Sequence, residues 1–192
     1  DYIIKPTTQA KSCAVVGGGP AGMACAKTLA ERGHNVTLYE ASDKLGGQFN
    51  LAANIPGKDE FFHTIRYFKT KFEKYKVNVQ LNTKATPLNL AAFDEVIIAT
   101  GVKPRELSLE GIDHEKVIVY NELISKQKVA GKKVAIIGGG PGGMNAAWQL
   151  AIAGVETHIF EKGSMLGGKL AQVVPWERLP RAIWDEEIRR FM

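Results

Sequence analysis

The stretch GGGPAGM at residues 17 to 23 returns as GGGPGGM at residues 138 to 144, and this repetition constrains the fold more than anything else in the chain. Glycine loses more backbone freedom on folding than any other residue, so a cluster is kept only where a tight turn or a close backbone approach demands it. Two clusters imply that one backbone problem is solved twice. The repeat runs from Ala14/Ala135 to Gln48/Lys169 at a constant offset of 121 residues, with 15 of 35 paired positions identical. A period this long lies outside the solenoid range and indicates a duplicated domain.

Each copy reads as strand, glycine turn, helix, strand. In the first, SCAVV is a short apolar run ending in glycine, as expected of a buried parallel strand. A helix-forming stretch follows and stops at Gly33, and NVTLYE is a second strand. In that setting Gly17-x-Gly19-x-x-Gly22 is a dinucleotide fingerprint. Gly17 allows the turn, Gly19 lets a pyrophosphate approach, and Gly22 lets helix and strand pack closely. Pro20 and Ala21 open the helix whose free N–H groups would receive the phosphates. Glu40, eighteen residues after Gly22, stands where a carboxylate accepts the hydroxyls of an adenosine ribose. The second copy repeats the set with Gly138, Gly140, Gly143 and Glu161.

The 192 residues are 45% hydrophobic and 23% charged, an ordinary globular balance with room for one full domain and part of another. The net charge of +5 is spread over scattered lysines without an arginine-aromatic cluster, which argues against a nucleic-acid partner. No run approaches the roughly 20 apolar residues of a membrane span, and the first residues lack the apolar core of a signal peptide. Cys13 and Cys25 form no CxxC and read as structural thiols, so the cytoplasm is the expected location. The step of 4, 3, 4, 3 among Phe61, Ile65, Phe68, Phe72 and Tyr75 predicts an amphipathic helix with a core-facing stripe. The histidines are isolated, no metal site is expected, and no catalytic residue is assigned.

Further motifs narrow the first ligand. Gly46-Gly47 and Gln48 follow Glu40 at the E-x5-GG spacing, VNVQLNT (with Val79) reads as a strand, and VIIATG ends at Thr100 and Gly101. This combination resembles the FAD domain of the glutathione-reductase-type flavoproteins. Together with GGQFNLAANIPGKDEF, AFDEVIIATGVKPRELSLEGIDHEKVIVYNELI and GKKVAIIGGG, it resembles the C-terminal flavin region of the 2,4-dienoyl-CoA reductase and 2-enoate reductase family. The resemblance implies an α/β fold of two Rossmann-like dinucleotide-binding units, with residues 1–130 as the FAD domain and 131–192 as the start of a second. It further implies partnership with a barrel, as a domain or subunit, that carries FMN and an iron–sulfur cluster.

For the second site two ligands stay open. Its location in the family implies NAD(H). Its local motif, with Gly167, Gly168 and Lys169 at FAD-type spacing and a GG…P…RLP…EI stretch, resembles the FAD domain of the glutamate synthase small subunit. Trp184, Ile188 and Phe191 are expected on one face of a last helix, and Trp176 and Arg178 in the loop before it. The first unit runs further after its equivalent helix, so a fragment of a longer chain with exposed sheet edges, open to homo-oligomer formation, is expected. The resulting expectation is a flavin-dependent module passing electrons from NAD(P)H through FAD to another centre or substrate. The alternative is a nucleotide-binding module without turnover, as in trimethylamine dehydrogenase of the same family, whose equivalent region holds ADP.

Overall fold

The computed structural model describes residues 4–103, 108–125 and 128–189. The chain divides into two compact units, Asp1–Gln127 and Lys128–Met192.

The first unit is built around β1 (Ser12–Val16), whose Cys13, Ala14 and Val15 are fully buried. After the glycine turn comes α1 (Pro20–Glu31), with Gly19 as N-cap and proline at its first position. Proline suits that place because its missing N–H would have no intrahelical partner and its fixed φ matches the helix. Gly22, Met23, Ala26 and Ala30 form the buried face of α1. Gly33 follows at φ +95, a left-handed conformation that favours glycine and ends the helix. The chain continues through β2 (Asn35–Tyr39), the short α2 (Phe49–Ala52), α3 (Glu60–Tyr75), β3 (Asn78–Gln80), the short α4 (Pro87–Leu90), β4 (Glu95–Ile98) and α5 (Tyr120–Ile124).

The strands are all parallel, in the order β3-β2-β1-β4. The order reverses at β1, with β2 on one side and β4 on the other. In doubly wound sheets a ligand sits at the carboxyl end of the strands where this reversal occurs. The glycine turn lies at that point. The expected aromatic stripe does face inward: Ile65 and Phe72 are buried, Phe68 and Tyr75 pack beside them, and Phe61 stacks on Phe49. Met23, Leu38, Leu45 and Val36 complete this core. The strand expected over residues 77–83 is shorter than its sequence pattern, covering three residues before Asn82 turns at φ +51.

The second unit holds β5 (Lys133–Ile137), α6 (Pro141–Ile152), β6 (Glu156–Phe160), α7 (Gly168–Val173) and α8 (Arg181–Arg189). β5 and β6 pair in parallel from Lys133↔Glu156 to Ile137↔Phe160. That register is the duplicate of Ser12↔Asn35 to Val16↔Tyr39, displaced by the same 121 residues. Trp184 of α8 is buried, whereas Trp176 lies under the Arg181 guanidinium. Phe191 lies outside the described residues.

Candidate functional site

In the first unit the chain leaves β1 through Gly17 at φ +112, with its N–H donating to the Tyr39 carbonyl at 2.8 Å. A side chain here would collide with the Ala99 carbonyl just past β4. Gly22 has a different reason to be glycine. A β-carbon there would overlap the Gly17 carbonyl, so helix and turn touch backbone to backbone. Gly19 differs again: its φ of −75 and ψ of −178 suit any residue, and a β-carbon would meet nothing within 4 Å. Its bareness serves open space in front of the first turn of α1, where unpaired N–H groups and the positive end of the helix dipole attract an anion.

Glu40 follows β2 directly. Its Oε2 accepts from the Gly18 N–H at 2.6 Å, and its Oε1 from the Ser42 N–H at 2.8 Å and the Ser42 hydroxyl at 2.7 Å. The carboxylate thus ties the glycine loop to the end of β2. A carboxylate offers about four acceptor positions; three are used, leaving one on Oε2 for a ribose hydroxyl. Burial pushes the Glu40 carboxyl up, but chiefly the hydrogen bonds from Ser42 and Gly18 outweigh it and hold it below the ordinary carboxylate range.

The second unit reproduces the backbone part of this, without a hydroxyl like that of Ser42 on its glutamate and without a carbonyl facing Gly138. Gly138 has φ +109 and donates to the Phe160 carbonyl at 2.8 Å. A β-carbon on Gly143 would overlap the Gly138 carbonyl, and Gly140 faces open space. Glu161 accepts from the Gly139 N–H at 2.7 Å and from the Gly163 N–H at 2.8 Å. These two bonds, with help from Lys162, hold the Glu161 carboxyl below its usual value against the effect of burial.

Both depressed carboxyls stabilise the loops in the same direction. Their contribution is fully present above the ordinary carboxylate value and is lost as pH falls through the depressed one. The Gly18 and Gly139 amide resonances should therefore each shift as pH falls below the ordinary carboxylate range. Amides that stay unmoved down to acid unfolding would show that neither carboxylate holds its loop.

The GG pairs pack onto these loops. The Gly46 N–H donates to the Gly18 carbonyl at 2.9 Å, and the Gly167 N–H to the Gly139 carbonyl at 2.6 Å. A β-carbon on Gly47 would lie 3.0 Å from the Gly19 Cα, and one on Gly168 3.2 Å from the Gly140 Cα. Gln48 donates to the Val102 carbonyl at 3.3 Å, and Lys169 is exposed at the start of α7. Thr100 lies beside Gly17, 3.1 Å from where a Gly17 β-carbon would stand, and Gly101 turns away at φ +75. Pro20 and Ala21 open α1, with Ala21 exposed. Val79 pairs with Leu38 and packs against the core, so its side chain belongs to the fold and not to the loop surface.

Several contacts at the two loops were not assigned from the sequence. Gly18 and Gly139, the middle glycines, are buried beneath Leu45 and Leu166 and beside their glutamates, with no room for a β-carbon. Their signal was the repeated third glycine. Ser42 and Gly163 occupy paired positions two residues past each glutamate, but their service is a backbone N–H that no residue type announces. Asn50, whose side-chain amide holds the Leu45 carbonyl at 3.0 Å, and Ile65 both press on Gly46. Trp184 presses on Gly167.

Both cysteines are free, and burial raises both thiols. Because the thiolate is the reactive form, this suits packing rather than exchange. Among the described residues no His/Cys/Asp/Glu group is placed to hold a metal, and no helix is long and apolar enough to cross a membrane.

The profile of the pyridine nucleotide-disulphide oxidoreductase family matches residues 11–174, spanning both glycine loops. The chain belongs to that family. It is 38% identical over 164 residues to a cinnamate reductase of Clostridium sporogenes, covering 84% of this chain and 24% of the relative. It is 36% identical over 167 residues to an NADH oxidase of Thermoanaerobacter brockii, covering 82% and 25%. The solved 2-naphthoyl-CoA reductase superposes with a TM-score of 0.77 at 35% identity, over 95% of this chain and 28% of that one. The chain thus spans about a quarter of the length of these proteins. The resemblance to the enoate-reductase flavin region and the α/β Rossmann-type fold both hold. The cofactors of this family are FAD and a nicotinamide dinucleotide, and two glycine loops with open space at Gly19 and Gly140 fit two such groups.

Proposed function

We propose that the first unit holds FAD, that the second holds NAD(H), and that together they form the electron-entry module of a flavin-dependent reductase. A single observation carries the reading: two fingerprint loops of one geometry, each with its helix N-terminus open and its glutamate already fixed. A flavin on the first unit would supply the electron-accepting chemistry. The residues of the chain bind and orient. Gly17 and Gly22 shape the turn, Gly19 leaves room for the pyrophosphate, and Glu40 offers its remaining lone pair to the adenosine ribose. Gly47, Gln48, Thr100 and Gly101 border the same loop. Gly138, Gly140, Gly143 and Glu161 do the corresponding work in the second unit. Residues 1–130 and 131–192 are the domains this reading assigns.

NAD(H) is favoured over FAD on the second unit by its place after the first, and the NADH oxidase relative supports it. The GG pair at Gly167-Gly168 supports FAD there instead. The electrons would go on to another centre, for which the enoate-reductase resemblance suggests an FMN and iron–sulfur barrel; the substrate is set there. Two free thiols, Cys13 buried and Cys25 half-buried, suit a cytoplasmic setting.

Glu161 makes the nicotinamide reading specific. A carboxylate accepts hydrogen bonds from a ribose diol and repels a 2′-phosphate. Like charges at close range repel, and a 2′-phosphate carries more than one of them. NADH should therefore reduce the flavin about tenfold to a thousandfold more efficiently than NADPH. The measurement is anaerobic bleaching of the flavin band by each cofactor. Equal rates, or faster bleaching by NADPH, would remove Glu161 from this role, and a flavin recovered from the second unit would replace NAD(H) there.

A further inference from the structure

The GG turn of the second unit is not self-supporting. Gly167 is buried at φ +104, and the six-membered ring of Trp184 lies directly against its Cα, in the space a β-carbon would need. Trp184 itself is only 5% exposed, although its neighbours Ile183 and Asp185 are not buried. From Gly167 the contact passes to the phosphate loop by two routes. One is the 2.6 Å hydrogen bond from the Gly167 N–H to the Gly139 carbonyl. The other is the backbone contact of Gly168 on Gly140, the residue that caps α6 and faces the open space.

The first unit contains the same device with different chemistry. There the Ile65 Cδ1 occupies the place of the indole, 2.5 Å from where a Gly46 β-carbon would stand. Gly46 bonds the Gly18 carbonyl, and Gly47 touches Gly19. Ile65 belongs to α3 and Trp184 to α8, and the two helices begin 121 residues apart. The two side chains are 119 apart, so the wedge was not carried over by simple sequence register. Two different apolar groups, delivered from slightly different helical positions, press on the same glycine of the same turn. Mere filling of a gap would not require that coincidence.

We infer that Trp184 is a positioning residue for the second nucleotide site: its ring presses the Gly167-Gly168 turn onto the phosphate loop and so holds Gly140 open for a pyrophosphate. The inference rests on the reading of this unit as a dinucleotide site. It applies equally to NAD(H) and FAD, which share the adenosine diphosphate group. Without the ring, Gly167 and the turn gain room to retreat, the Gly139 carbonyl loses its donor, and Gly140 loses the backbone packed behind it.

The test uses the whole chain, first loaded with FAD and then titrated with ADP, counting nucleotides bound per chain. The wild type should take up two nucleotides in total. Trp184→Ala should keep the first-unit flavin and bind the second nucleotide at least about tenfold more weakly, with faster hydrogen exchange at the Gly167 amide. Trp184→Ile, which supplies the side chain the first unit uses, should restore both the affinity and the protection. A residue acting only through general stability would not be rescued by so much smaller a side chain. Wild-type affinity in Trp184→Ala, or a Trp184→Ile variant as weak as the alanine one, would overturn the inference alone. If the alanine variant does not fold, Trp184→Ile is compared with the wild type, and a second nucleotide bound at least about tenfold more weakly would overturn the inference. A wild-type chain that binds no second nucleotide would overturn the reading of the unit together with the inference.

Discussion

Gly19→Val should yield a folded protein with almost no flavin. The backbone at Gly19 is extended, with φ −75 and ψ −178, and a β-carbon there meets nothing within 4 Å. A residue with a side chain therefore fits this backbone, and its β-carbon displaces no neighbour. The first hydrogen bond of α1, from the Met23 N–H to the Gly19 carbonyl at 2.9 Å, is a backbone bond and survives. What the isopropyl group does occupy is the approach to the helix N-terminus, where a pyrophosphate must come close to the free N–H groups. We expect FAD affinity to fall by roughly a hundredfold, which is about 2.8 kcal/mol at 1.4 kcal/mol per factor of ten. The melting temperature of the flavin-free protein should change by no more than about 2 °C, less than 1 kcal/mol in a chain of this size. Absorbance of the purified variant and a thermal melt of the stripped proteins measure the two quantities. Full flavin occupancy in Gly19→Val would sink the FAD assignment of the first unit.

Gly22→Ala, three residues on, should do the opposite and damage the fold before any ligand is considered. Here the added β-carbon falls on the Gly17 carbonyl, a backbone atom that is itself anchored through the Gly17 N–H to Tyr39. Neither partner is a flexible side chain, so α1 must lift away from the end of β1. Met23 and Ala26, both fully buried, would be drawn out with it. Overpacking of this kind costs about 1–3 kcal/mol, and each kcal/mol lowers the melting temperature of a chain this long by roughly 2–4 °C. The stripped Gly22→Ala protein should therefore melt several degrees below the wild type, and Gly143→Ala should do the same through the Gly138 carbonyl. A Gly22→Ala protein as stable as Gly19→Val would mean that helix and turn have slack that this packing does not show.

The contrast between these two glycines marks where reading the sequence stops. Spacing alone was enough to find both fingerprints, the glutamates eighteen residues on, and the duplication at 121 residues. The apolar run of β1, the 4-3 stripe of α3 and the turn glycines follow from local periodicity and φ preference, which depend on near neighbours in the chain. From these the parallel α/β fold and the place of the phosphate loops could be argued without coordinates. Which glycine serves packing and which serves a ligand was another matter. It depends on what stands opposite each missing β-carbon: the Gly17 carbonyl for Gly22, open space for Gly19, Leu45 and Glu40 for Gly18. The same holds for the acids. The sequence placed Glu40 and Glu161 at the ribose, but only the fold shows their oxygens already accepting from the glycine loops and from Ser42 and Gly163. Backbone N–H donors are present at nearly every position and carry no signature in residue type. Ile65 and Trp184 were legible as apolar residues of helices, but their target was not. A side chain's partner across the chain is set by how the helices pack on the sheet, and that is decided by the core as a whole.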